Sequence, residues 1–419
     1  MKPVWRVDHQ PLGDLAVLRE EWQHLSRRAA PSYFTSWGWV EAFLQGLPVK
    51  TTVRLVRIRR DGVVVGLALL GQARSVRGPI PSRTWHLFEC GVDRYDELTV
   101  EHNAPLVDES CAEEASRAFL EDCLSSRHNW DELYLSGVRC GSPLEIVARE
   151  LAATCPLLTV KDRPYYWVDL DELRQSGRPY LSTLGSGTRS QIKRSMKFYA
   201  AEFGPLVVQE PESADEAIQV FDEMVNLHAS YWQKRGQTGA FSGSGARSFH
   251  ERLIRQRFAT EEIQLLRISA GPMLLGVLYN FLMDGYICAY QSGFSYSEEN
   301  KKKPGLVCHT LAIEYNLERG FRAYDFLAGD HRYKLQLSSH DGTMRWLKFQ
   351  RPRWKYHLED LLRTLRDTTV STLKGQYAAW KSRPRLAVQP ATGTEKGPDE
   401  QSGCTEPDSL LAESRGDSP

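Results

Sequence analysis

The chain has 419 residues, and its 53 basic and 53 acidic side chains cancel. That balance gives no global pull toward nucleic acid or an anionic membrane, so DNA is excluded as an expected partner. Hydrophobic residues make up 41 % and charged residues 25 %, as in a globular protein long enough for more than one domain. The eight cysteines form no CxxC pair, which argues against a zinc ribbon or a disulfide scaffold. Reduced thiols in a cytoplasmic protein fit best. No apolar run of spanning length occurs, and the N-terminus reads as no signal peptide.

Residues 1–8 read as a strand, and residues 11–27 as a helix with Leu12, Leu15, Leu18, Trp22 and Leu25 on one face. Ser36 is placed to cap a helix carrying Trp37, Val40, Phe43 and Leu44 inward. Such aromatic density points to packed core rather than a binding box. Two strands, 53–59 and 63–70, flank Asp61-Gly62, a hairpin signal. A strand at 84–88, a helix at 112–124, a strand at 132–135 and a helix at 144–152 follow. The next unit opens with a strand at 167–170. A helical region at 180–203 follows it, then a strand at 206–209 and helices at 214–235 and 249–259. Strands at 263–269 and 273–283 precede the Asp284-Gly285 turn and the strand 286–294.

After a polar loop, Pro304-Gly305 opens a helix whose Leu306, Val307, Thr310, Leu311, Ile313 and Leu317 recur at helical spacing, with Gly320 as a left-handed stop. Proline suits the first helical position, and glycine admits close approach to the backbone. Lys301, Lys302 and Lys303 stand beside a helix start whose free N–H groups favour anions. The alternative is an ordinary helix start with a solvated lysine run. A strand at 321–327 ends in Gly329-Asp330, a further strand lies at 346–349, and residues 354–381 read as a helix. From 384 onward the composition is that of a disordered tail.

The segments YQSGF, PGLVCHTLAIEYNLERGFRAYDFLAGD and HRYK resemble the acetyltransferase-like domain of the GNAT superfamily in CelD-type polysaccharide-biosynthesis proteins, relatives of the FemAB peptidyltransferases. The resemblance is best over residues 167–351. It implies an α+β fold of two tandem GNAT-like domains, each a mixed, mostly antiparallel sheet flanked by helices, over 1–165 and 166–352. A C-terminal helix (353–383) and a tail (384–419) complete the expected layout. It also implies acyl transfer, most simply of acetyl from acetyl-CoA or another acyl-CoA, to an amine or hydroxyl of a small-molecule or sugar-linked acceptor. The usual Gln/Arg-x-x-Gly-x-Gly/Ala loop is replaced here by Lys302-Lys303-Pro304-Gly305. Two rivals stand beside this reading. One is FemAB-type transfer from aminoacyl-tRNA; the other is a non-catalytic scaffold of a polysaccharide-synthesis system. The charged face of the 354–381 helix leaves peripheral membrane contact open beside plain docking on the domain.

Five groups are candidates for the chemistry. Lys303, Gly305, Leu306 and Val307 would bind the donor's phosphates. Asp330 would be the base, with Tyr333 or Lys334 as donor or anion-binding group and Asp325 nearby. Tyr290 and Gln291 would line a substrate cleft. His228 and Trp232 share a helix face, where a base and a sugar-stacking platform compete with plain core packing. Arg189 and Lys193, one turn apart, begin a basic row that is either a phosphate-binding ridge or a solvated face. No metal site is expected, since His309 has no second ligand at helical spacing.

Overall fold

The computed structural model describes residues 2–77, 80–96, 98–296 and 302–356. Lys301, the tail and all but residues 353–356 of the expected C-terminal helix lie outside the described residues. Met1–Glu359 forms one compact unit. Its strands are β1 (Trp5–Pro11), β2 (Thr52–Arg60), β3 (Val63–Arg77), β4 (Ile80–Leu87), β5 (Leu106–Val107), β6 (Glu132–Arg139), β7 (Leu157–Asp169), β8 (Leu206–Gln209), β9 (Ile263–Ala270), β10 (Met273–Met283), β11 (Tyr286–Phe294), β12 (Ala323–Ala328) and β13 (His340–Gln350). Its α-helices are α1 (Leu15–Ser26), α2 (Trp37–Gln45), α3 (Asp93–Asp96), α4 (Ala112–Leu124), α5 (Pro143–Leu151), α6 (Leu170–Ser176), α7 (Tyr180–Thr183), α8 (Ser186–Phe203), α9 (Ala214–Gln233), α10 (Ser244–Arg257), α11 (Pro304–Glu318) and α12 (Arg332–Leu337).

All strands join one sheet in the order β1-β2-β3-β4-β6-β13-β7-β12-β11-β10-β9-β8, with β5 on β3. The tandem architecture is written in this order. In the first half β2, β3 and β4 run antiparallel and β4 then pairs parallel with β6. In the second half β9, β10 and β11 run antiparallel and β11 pairs parallel with β12. The parallel steps require crossovers, supplied by α4 and α11. The closing strands are exchanged: β7 pairs with β12, and the late strand β13 pairs with β6. β7 and β13 also pair with each other at the centre. The expected domain boundary at 165/166 therefore falls inside β7.

Both Asp-Gly turns have positive φ at both positions, +50° and +83° at Asp61 and Gly62, +48° and +80° at Asp284 and Gly285. That is the twist a two-residue hairpin needs. Gly320, at φ +84°, follows α11 as expected. Several readings change in extent. The strand expected at 167–170 is the end of the longer β7, whose Lys161-Asp162-Arg163-Pro164 stretch carries no apolar alternation. The helical region 180–203 is two helices, α7 and α8, broken at Leu184-Gly185. Residues 332–337, beyond the strand expected at 321–327, form α12, too short for a periodic signal.

The aromatic stretch after residue 32 is core and spans the two halves. Tyr33 stacks on Phe281 of β10 at 4.3 Å, and Trp39 packs on Phe249 of α10 at 4.8 Å. Six of the seven free cysteines among the described residues are buried. No helix among the described residues is long and apolar enough to cross a membrane.

The exchanged strand β13 is held by a buried ion pair. Lys348 Nζ donates to Glu132 Oε1 at 2.9 Å, with side chains 7 % and 0 % exposed. Gln350 donates to the same oxygen. Lys348→Met removes the buried cation that faces this carboxylate and is expected to cost about 3–5 kcal/mol. Urea unfolding checks this; a loss below about 1 kcal/mol, the level of a surface pair, contradicts it.

Candidate functional site

β11 and β12 pair only over Tyr286–Cys288 and Ala323–Asp325. Beyond Cys288 they diverge, and the opening between them is a cavity of about 600 Å³. Its lining includes Ala289 to Phe294 from β11, Phe326 to Ala328 from β12, and His228, Tyr231 and Trp232 from α9. A bulge in the β10–β11 register leaves Tyr290 without a partner, between Asn280/Ala289 and Tyr279/Gln291. α9 reaches the strand because Gly293 has no side chain: a Cβ there would lie 2.5 Å from Met224 O.

The first half closes this cavity from the other side. Thr99 and Glu101 line it, and the Tyr290 hydroxyl donates to Leu98 O. Thr99 and His102, on either side of Glu101, stand at φ +45° and +48°, and Leu327 on β12 at +61°. Positive φ is unfavourable for such side chains and is held here by surrounding bonds. Asp325 Oδ1 accepts from Leu327 N–H at 2.7 Å, and its Oδ2 meets His102 Nε2 at 2.8 Å. Lys334 Nζ donates to the carbonyls of Leu327 and Ala328. Asp325 and Lys334, expected as substrate ligands, thus brace the end of β12.

Glu101 is 6 % exposed, and Oε2 accepts from Ala328 N–H at 2.7 Å. Burial raises its carboxyl above the usual carboxylate range, opposed by that hydrogen bond and by Lys334. Burial lowers the Lys334 ammonium. Glu101 is the carboxylate in the lining, and Asp330 is not. Asp330 is 56 % exposed on its side chain and pairs with Arg163 at 2.7 Å. No motif marks Glu101 in the sequence; only the meeting of the two halves brings it to the cleft.

A second cavity of about 350 Å³ lies at the start of α11, lined by Gln191, Lys303, Gly305, Leu306, Arg332 and Gln336 among others. The Lys303 N-cap has no side-chain hydrogen bond, so the helix start is uncapped. Val307 N–H already bonds to Lys303 O, and its side chain is buried in the core. The N–H groups of Gly305 and Leu306 remain to receive an anion. Lys302, expected among the flanking cations, stands over the Phe198 ring at 4.4 Å.

The two cavities share Phe294, Tyr296, His309 and Tyr333. Tyr333 stacks on His309 at 5.1 Å and 15°. Its hydroxyl, raised by burial, makes no hydrogen bond to a described residue. His309 is 2 % exposed; Nδ1 lies 3.1 Å from the Tyr324 hydroxyl and Nε2 has no partner among the described residues. Sequence reasoning passed over His309 because it sought only metal ligands.

Of the remaining candidates, Gln291 and Trp232 line the larger cavity, as does His228. Both nitrogens of His228 are engaged: Nδ1 with Ser292 O and Nε2 as acceptor from Ala240 N–H, each at 3.2 Å. Burial lowers its pKa, so the ring is a neutral brace between α9 and β11. Arg189 and Lys193 line neither cavity; Arg189 donates to Ser182 O and Lys193 is exposed. Among the described residues the groupings able to hold a cation are His9 with Asp122 and His128, and His86 with Glu89 and Asp96. None of these lines either cavity.

Comparison with known proteins agrees with this geometry. Residues 186–335 match the acetyltransferase (GNAT) domain family. A crystal structure of FemX superposes with a TM-score of 0.54 at 11 % identity, covering 84 % of this chain and 99 % of that one. The C-terminal domain of a putative lysylphosphatidylglycerol synthetase from Agrobacterium fabrum gives 0.48 at 12 % identity, covering 85 % and 97 %. A tandem GNAT protein from the clavulanic acid biosynthesis pathway gives 0.46 at 14 %, covering 83 % and 99 %. A search of curated proteins finds no match.

Proposed function

We propose, from the match of residues 186–335 to the acetyltransferase (GNAT) domain family and the fold shared with FemX, that this chain is an acyltransferase that uses acyl-CoA, most simply acetyl-CoA. The observation that carries the reading is the meeting of two cavities of different chemistry. One opens on an uncapped helix start suited to a pyrophosphate. The other opens in the strand splay, with a buried carboxylate, and suits a polar acceptor. The acyl carbon would sit where they join.

An amine or hydroxyl in the larger cavity attacks the thioester carbonyl carbon, and its proton passes to Glu101. The carbonyl electron pair moves onto oxygen. As the intermediate collapses, the C–S bond breaks and the thiolate takes a proton from Tyr333. Burial raises the Tyr333 hydroxyl, so it is protonated but a weaker acid than a free tyrosine, and the transfer to the thiolate needs direct contact. Trp232 and Tyr231 beside the cavity suit a sugar or sugar-linked acceptor, through stacking. The polysaccharide setting comes from the sequence resemblance.

A panel of amino and hydroxyl sugars with acetyl-CoA, followed by release of free thiol, tests this. Tyr333→Phe is expected to lower kcat by about 10²-fold while leaving the KM for acyl-CoA nearly unchanged. Unchanged turnover removes Tyr333 from the chemistry. The second reading, transfer from aminoacyl-tRNA, draws on the exposed cations of α8, Lys193, Arg194 and Lys197. It predicts charged-tRNA binding that weakens steeply with salt, and no binding of acyl-CoA.

A further inference from the structure

One buried polar atom at the junction of the cavities has no role yet. His309 lies in α11, 2 % exposed, and Nδ1 is 3.1 Å from the hydroxyl of the fully buried Tyr324. We assign Tyr324 O–H as the donor and Nδ1 as the acceptor, the tautomer that satisfies the buried tyrosine hydroxyl. In a neutral imidazole the other nitrogen then carries the hydrogen. Burial, with Lys334 adding to it, lowers the ring's pKa to about 3, so it is neutral at ordinary pH. Nε2–H is therefore a donor, and it has no partner among the described residues. Native structures rarely leave a buried N–H unmatched unless a ligand or water completes it.

The ring is also fixed. Tyr333 stacks on it, Phe326 packs edge-on at 5.3 Å and Phe294 at 5.7 Å. His309 lines both the donor-side and the acceptor-side cavity. A thioester whose phosphates rest on the start of α11 and whose acyl carbon faces the strand splay must pass this residue.

We propose that His309 Nε2–H is the hydrogen-bond donor that binds the thioester carbonyl oxygen and stabilises the oxyanion formed during acyl transfer. The assignment rests on the acyl-transfer reading. When the acceptor's nitrogen or oxygen bonds to the carbonyl carbon, the C=O π pair moves onto oxygen and Nε2–H meets the new charge. When the pair returns, the C–S bond breaks and the thiolate leaves. His309 neither gains nor loses a proton over the cycle. A fixed neutral donor in a dry site needs no reorganisation as charge develops.

The test is steady-state kinetics of the full chain with acetyl-CoA and the acceptor found by the sugar panel, beside a calorimetric titration with acetyl-CoA. His309→Phe keeps a ring but removes the donor; it is expected to lower kcat by about 10²–10³-fold with acetyl-CoA affinity within about threefold. His309→Gln, whose amide can reach the same position, is expected to restore at least about tenfold of that loss. A structural role would move stability and binding but give no such rescue. Wild-type kcat in a folded His309→Phe, or in both variants, overturns the assignment alone. A wild-type chain that neither binds acetyl-CoA nor releases thiol overturns the acyl-transfer reading, and this assignment with it.

Discussion

Glu101→Gln is expected to lower kcat by about 10²–10⁴-fold, the range for loss of a general base. The substitution isolates the charge. A glutamine carbonyl still accepts from Ala328 N–H, the bond that holds Glu101 Oε2 at 2.7 Å. The strained turn around Thr99 and His102 should therefore persist, and the melting temperature should change little. The pH profile gives the sharper signature. A base works only when deprotonated, and burial raises this carboxyl above the usual range. Wild-type kcat/KM is then expected to rise with pH through that raised pKa and level off. In Glu101→Gln the limb should vanish, leaving a low, flat rate. A variant that keeps the same limb assigns the ionisation to another group and removes Glu101 as base.

Gly305→Leu is expected to weaken acyl-CoA binding by about 10²–10⁴-fold, equivalent to losing two hydrogen bonds to a charged group. A Cβ at this position would stand 3.2 Å from Phe294 Cε2, and the rest of a leucine must extend into the donor-side cavity. It would cover the N–H groups of Gly305 and Leu306 that face the proposed phosphates. Leucine is a better helix former than glycine, which offsets the tight Phe294 contact, so the chain should fold with a melting temperature near the wild type's. Loss of binding with a maintained melt would locate the anion at this helix start. Unchanged affinity would mean that the donor, if there is one, binds elsewhere.

How far the sequence foretold this site depends on which physics each residue obeys. The Asp61-Gly62 and Asp284-Gly285 hairpins, Pro304-Gly305 at the start of α11 and Gly320 after it follow local rules, and local rules are written in adjacent residues. The tandem arrangement was expected from the order of elements and from the resemblance. The exchange of β7 and β13 was not, because pairing between strands this distant leaves no local trace. The same limit hid Glu101: it stands in a loop of the first half and meets the cleft through its bond to Ala328. Asp330 looked like a base because it ends a strand in a family-like motif, yet it faces Arg163 and solvent. Asp325, Lys334 and His228 were expected at the site as polar groups. Their bonds go to backbone at Leu327, Ala328 and Ser292, so they shape the cleft by holding it.

The central claim, a donor seated on the start of α11 and acyl transfer at the junction of the cavities, is tested most directly by calorimetric titration of the wild-type chain and Gly305→Leu with acetyl-CoA. The account predicts one site of micromolar affinity in the wild type and no measurable heat in the variant. Equal affinity in both, or no binding by the wild type, would contradict it.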